Sequence, residues 1–228
     1  MKSLLRALPY LLIALLLCVP AIAQDESVRP GINKPYENAD LQGKIKQFEG
    51  ENRDIARNRD AIVKACNLKP GLDVADVGAG TGLFTRLFAP KVGPKGKVYA
   101  VDITKKFLDH VEKTCKEKEL DNVVIVHCTD QSTELPDASV DLAFNCDTYH
   151  HFEYPFKTLA SIHRALRPDG QLILIDFEKD ESVNPKWVIA HIRADKKTVI
   201  EEVTAAGFKL IEEVDLMKTQ FVLRFEKK

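Results

Sequence analysis

Two stretches of this sequence bring chemistry-bearing residues close together. In "VADVGAGTGL" the glycines Gly78, Gly80 and Gly82, with Ala79 and Thr81 between them, follow an apolar run that carries Asp76. In "NCDTYHHFEYP" a second apolar run ends at Asn145 and Cys146 and gives way to Asp147, Tyr149, His150 and His151. Glycine permits positive φ and removes the side chain that would hold a ligand off the backbone. The first stretch therefore reads as a backbone cradle. A third, "VYAVDIT", closes another apolar run with Asp102, whose carboxylate can accept both hydroxyls of a ribose. Loop and acid together indicate a ligand of adenosine type.

Two such ligands compete. The dinucleotide fingerprint is G-x-G-x-x-G, with pyrophosphate at the helix N-terminus. Here the third glycine comes one residue early, and Leu83 stands where the fingerprint has glycine. Asp76, two residues before the first glycine, adds a carboxylate that repels a pyrophosphate but attracts an ammonium group. S-adenosyl-L-methionine carries that ammonium and no phosphate, so charge favours it. An NAD-dependent oxidoreductase is the disfavoured alternative.

The elements that must position these residues alternate. Strands are expected over Leu72 to Val77, Val98 to Ile103, Val123 to Cys128, Val140 to Cys146 and the run "QLILIDF", read as fully apolar. Helices are expected from Leu83, over Lys105 to Lys118 and over Pro155 to Leu166. Buried strands alternating with helices predict a parallel sheet covered on both faces, an α/β Rossmann-like three-layer sandwich. After a helix near Thr198 to Ala206, two runs separated only around Met217 and Lys218 predict an antiparallel hairpin, because so short a connection cannot cross over. Upstream, residues 24–67 read as an irregular lead-in followed by one or two amphipathic helices between Leu41 and Asn67, leaving 68–228 as the main domain.

"VADVGAGTG", "VYAVDIT", "ELPDASVDLAFNCDTYHHF" and "ALRPDGQLILIDF", in that order, resemble successive motifs of class I S-adenosylmethionine-dependent methyltransferases. The nearest subgroup is the one similar to ubiquinone/menaquinone-biosynthesis methyltransferases, and the likeness runs from about Leu68 to the C-terminus. It implies seven strands. It also implies that Asp76 and the loop Gly78, Ala79, Gly80, Thr81 and Gly82 hold the methionine part of the cofactor. Asp102 would bind the ribose, Ile103 would flank the adenine, and Asp130 with Gln131 would face the adenine amino group. Asn145 would approach the methionine part from the other side.

Methyl transfer from a sulfonium is an in-line displacement, so alignment and exclusion of water matter most. A base is needed only when the accepting atom must lose a proton. His150 and Tyr149 are the candidate catalytic groups, with His150 as the base. A small-molecule acceptor is expected to meet Tyr36 and Arg53 from the N-terminal segment and Trp187 and His191 from the insert "EKDESVNPKWVIAHIRADKK". Trp187 and His191 share a face if the insert is helical, although Trp187 could equally pack in the core. A metal at His150, His151 and His191 is not expected, since adjacent histidines rarely aim at one ion and no carboxylate falls at a ligand spacing. The cysteines lack zinc-site spacing and are read as free thiols.

The chain has 228 residues with 33 basic against 34 acidic side chains and a net charge of -1. That balance excludes the basic footprint of a nucleic-acid binder. At the start, Lys2 and Arg6, the apolar Leu11 to Val19, and Ala21-Ile22-Ala23 before Gln24 form the three regions of a secretory signal peptide. The run falls short of the about 20 residues of a membrane span. Residues 1–23 are thus expected to be cleaved and the remainder exported to the periplasm or beyond, with an uncleaved N-terminal anchor as the rival. Export gives weight to a further alternative, a non-catalytic binding protein on a methyltransferase fold.

Overall fold

The computed structural model describes residues 24–228, so the expected signal peptide lies outside the described residues. Seven strands form one sheet in the order β3-β2-β1-β4-β5-β7-β6. These are β1 (Val74–Val77), β2 (Val98–Asp102), β3 (Val123–His127), β4 (Val140–Cys146), β5 (Leu166–Phe177), β6 (Phe208–Glu213) and β7 (Gln220–Lys227). The first five are parallel, while β7 runs antiparallel to both β5 and β6. The expected hairpin is present, and β7 is inserted between β5 and β6. β5 also starts earlier than its apolar run, at Leu166, where it pairs Val140.

Continuous apolar strands require cover on both faces. One face packs against α7 (Pro155–Ala165) and α9 (Lys196–Ala205) through Leu159, Ile162, Val199 and Val203. The other packs against α4 (Arg59–Ala65) and α5 (Leu83–Val92) through Ile62, Phe84 and Phe88. Alternation along β1 sends Ala75 and Val77 to the first face and Val74 to the second, which also places Asp76 beside α5. α6 (Lys105–Glu117) buries Leu108, Val111 and Cys115 against Ala79 and Ala100.

Before β1 the chain folds into four short helices, α1 (Lys34–Glu37), α2 (Leu41–Glu49), α3 (Asp54–Arg57) and α4, the last three in the stretch from Leu41 to Asn67 where one or two were expected. Asp40 caps α2 by accepting from Gly43 N at 3.1 Å, a standard way to satisfy a helix-start donor. This cap is tied to the domain by the Glu49–Arg86 ion pair at 2.7 Å and by Lys106 Nζ donating to the Ala39 carbonyl at 2.7 Å. Within the insert, α8 is Lys186–His191. Among the described residues no helix is long and apolar enough to cross a membrane.

Gly82 shows why the loop needs its third glycine. It starts α5 at φ 83°, and a Cβ there would lie 2.7 Å from Val111 Cγ2 on α6. Gly82→Ala is expected to lower stability by about 2 kcal/mol from the left-handed backbone and the crowded packing combined. A thermal melt against the unsubstituted chain measures it.

Candidate functional site

β1 lies between β2 and β4; the chain leaves β1 towards β2 and leaves β4 towards β5, in the opposite direction. In open α/β sheets that reversal opens a crevice beyond the strand ends. Here it holds a cavity of about 570 Å³ lined by the glycine loop, the ends of β1, β2 and β4, the N-terminal cap and the insert. Gly78 lets the crevice form as it does. A Cβ on it would sit 2.2 Å from Thr148 Cγ2, so only glycine allows the segment after β4 to close on the loop.

Asp76, Asp102 and Asp147 line the cavity and Asp176 stands behind His150; each side chain is nearly buried and each is held differently. Asp76 accepts from Thr85 Oγ1 at 2.6 Å, and burial raises its pKa to about 6. Asp102 accepts from Gly80 N at 2.8 Å and Thr104 N at 2.7 Å, and burial raises its pKa against those two bonds. Asp147 pairs with Arg53 at 2.5 Å, burial again raising its pKa while Arg53 opposes. Asp176 accepts from the backbone N–H of His150 at 2.9 Å and sits 2.7 Å from His150 Nδ1.

The structure brings together Asp76, Gly78, Ala79, Gly80, Thr81, Asp102, Ile103 and Asp130 on the walls of this cavity, with Tyr36, Arg53, His150, Trp187 and His191 on the same lining. Four expected residues lie off it and are corrected here. Gly82 is turned into the α5–α6 packing already described. Gln131 accepts from Lys157 Nζ at 3.1 Å, away from the lining. Asn145 pairs with Val77 in the sheet and donates to its carbonyl at 2.9 Å, which ties the two strand ends together beneath the cavity. Tyr149, at 1% exposure, is turned away into the core, where it donates to Glu202 Oε2 at 2.6 Å; Arg193 bonds both Glu202 oxygens. The two adjacent positions point oppositely because Tyr149 and His150 sit in a single tight 3-10 turn.

Trp187 is 66% exposed, which corrects the core-packing reading and puts it at the cavity rim. Arg53 also donates to the Phe48 carbonyl at 3.1 Å. Tyr36, Phe48 and Phe107 form an aromatic triad with ring centroids 6.0–6.5 Å apart. Contrary to expectation, the three histidines converge. His150, His151 and His191 each offer a ring nitrogen within 4.8 Å of the others. Burial, and then the neighbouring histidines, depress the pKa of His151 to about 2, and burial lowers that of His191. Sequence reasoning missed Asp176 and Phe107. The signal for Asp176 was its position as the single acid in the run Leu172 to Phe177.

Residues 75–174 match the profile of a family described as a methyltransferase domain. This stretch resembles a methyltransferase domain. A demethylmenaquinone methyltransferase of Geobacillus sp. is 26% identical over 154 residues, 68% of this chain and 64% of that protein. The alignment thus spans less than two thirds of that relative. Among solved structures, a SAM dependent methyltransferase from Aquifex aeolicus superposes with a TM-score of 0.75 at 27% identity, covering 84% of this chain and 100% of the other. The Burkholderia thailandensis 1,6-didemethyltoxoflavin-N1-methyltransferase, solved with 1,6-didemethyltoxoflavin and S-adenosylhomocysteine, shares the fold. Its TM-score is 0.62 at 24% identity, over 86% of this chain and 84% of that one. Within the matched stretch the cysteines Cys115, Cys128 and Cys146 are free and stand apart, on α6, just after β3 and at the end of β4.

Tyr149→Phe removes one partner of a mostly buried Glu202–Arg193 pair. It is expected to lower stability by about 1–3 kcal/mol and to leave cofactor affinity unchanged. Calorimetric titration beside a thermal melt checks both; weakened cofactor binding at unchanged stability would return Tyr149 to the site.

Proposed function

We propose that this chain transfers a methyl group from S-adenosyl-L-methionine to a small-molecule acceptor. The observation that carries the reading is one cavity with two unlike ends. One end is the glycine loop with Asp76 and Asp102, where Phe48 packs against Gly80; the other is the wall of histidines. At the first end the Asp76 carboxylate accepts from the cofactor's ammonium. Each oxygen of Asp102 spends one lone pair on a backbone N–H and keeps another for a ribose hydroxyl. Ile103, 38% exposed at the mouth, offers an apolar edge to the adenine.

At the second end an electron pair of the acceptor would form a bond to the methyl carbon as the sulfur–carbon bond breaks, the pair of that bond passing to sulfur. The positive charge on sulfur is lost, and the acceptor's proton, where it carries one, leaves at the histidine end. The α2 and α3 region roofs the cavity with Phe48 and Arg53 and limits water there. Flat rings at Tyr36, Phe48, Phe107 and Trp187 suit an apolar, planar acceptor, and a quinone-like molecule fits both them and the naming of the Geobacillus relative. The sequence of residues 1–23 supports export of the domain.

Asp76 supplies the test. Its raised pKa means that its contribution to stability is fully present below about 3.8 and lost as pH rises through about 6. Asp76→Asn is therefore expected to stabilise the free protein at pH 7 by about 1–3 kcal/mol while weakening S-adenosyl-L-methionine at least tenfold. In the unsubstituted chain, affinity should fall between pH 7 and pH 5 as the carboxylate protonates, and the fall should be smaller in the variant. Calorimetric titration at the two pH values measures this, and cofactor affinity indifferent to Asp76→Asn would sink the assignment.

A further inference from the structure

Three of the chain's six histidines meet at one point of the cavity wall. His150 and His151 come from the turn after β4, and His191 from the end of α8, 40 positions further on. Nε2 of His151 and Nε2 of His191 are 3.4 Å apart. Two imidazole nitrogens bound to one tetrahedral zinc at 2.0–2.1 Å would be separated by about 3.3 Å. His150 is held by Asp176, whose Oδ1 lies 2.7 Å from Nδ1, so that Nδ1–H donates and Nε2 is left bare. A carboxylate behind a histidine that orients its other nitrogen is the usual outer partner of a metal-bound imidazole. All three rings line the cavity, and Tyr36 Oη stands 3.5 Å from His151 Nε2.

We propose that His150, His151 and His191 form a binding site for a divalent zinc-class ion whose fourth position opens into the cavity. Three protein ligands with one open position characterise catalytic rather than structural zinc sites, and an all-imidazole set suits zinc, copper, iron or nickel over magnesium or calcium. The acceptor's oxygen, nitrogen or sulfur binds the ion and loses its proton to solvent. Its remaining lone pair then attacks the methyl carbon, the sulfur–carbon bond breaks, and the methylated product leaves the ion. Metal binding stands without the methyl-transfer reading; only this consequence rests on it.

The test is titration of the chelator-treated chain with Zn²⁺ by calorimetry and with Co²⁺ by visible absorption. One ion per chain is expected, with tetrahedral Co²⁺ bands. His191→Ala should weaken binding at least 100-fold and Asp176→Asn 10- to 100-fold, with thermal melts confirming that each variant is folded. His191 is only partly buried at a helix end, so its variant is the one that keeps the fold. Absence of stoichiometric binding, or binding unchanged in folded His191→Ala, overturns the site. Titration with S-adenosyl-L-methionine separates the two readings. Cofactor binding without metal binding removes the metal site alone, and metal binding without cofactor binding removes methyl transfer alone.

Discussion

Parallel pairing of β1 with β2 on one side and β4 on the other is the constraint on which the site depends. Because the chain leaves β1 and β4 in opposite directions, their carboxyl ends cannot be closed by one helix, and a crevice remains. Its width is set by a contact of backbone on side chain. Gly78 has no Cβ, so Thr148 packs onto it and donates to its carbonyl at 3.4 Å and to the Cys146 carbonyl at 2.9 Å. The loop that reads as a cofactor cradle and the segment that carries the histidines are thereby held as one unit.

Asp76, Asp102 and Asp147 line this crevice and Asp176 stands behind His150, a concentration of buried charge that works against stability. Each is retained by a different device: a threonine hydroxyl, two backbone N–H groups, an arginine and a histidine. Burial raises the pKa of Asp76, Asp102 and Asp147. Strained protonation equilibria of this kind cluster where a protein binds or reacts. Asp76 is the most exposed to that tension, because its one side-chain partner is a neutral hydroxyl.

The N-terminal helices complete the cavity. α2 and α3 are held to the domain by the ion pairs Glu49–Arg86 and Arg53–Asp147, by the packing of Phe48 on Phe107, and by Ile55 and Ala56 as buried anchors. Arg53 is thus a link between cap and site as well as a lining residue; removing it would strand the Asp147 carboxylate in a buried position. The insert lies against the same cavity and contributes His191 and an exposed Trp187.

The alternation of buried strands and helices, the hairpin at the end and the position of the glycine loop were all legible in the sequence, because period, glycine and turn chemistry act within a few residues. So were Asp76 and Asp102, whose place at a strand end follows from where the apolar runs stop. Which way a strand-end side chain faces was not legible. Asn145 bonds to Val77 and Tyr149 turns to Glu202, each because of a partner far away in sequence. Nor could the sequence show that His191 meets His150 and His151, since that depends on how α8 docks across the end of the sheet. Local residue types determined the fold class and one end of the cavity; only the packing of distant segments decided what stands at the other.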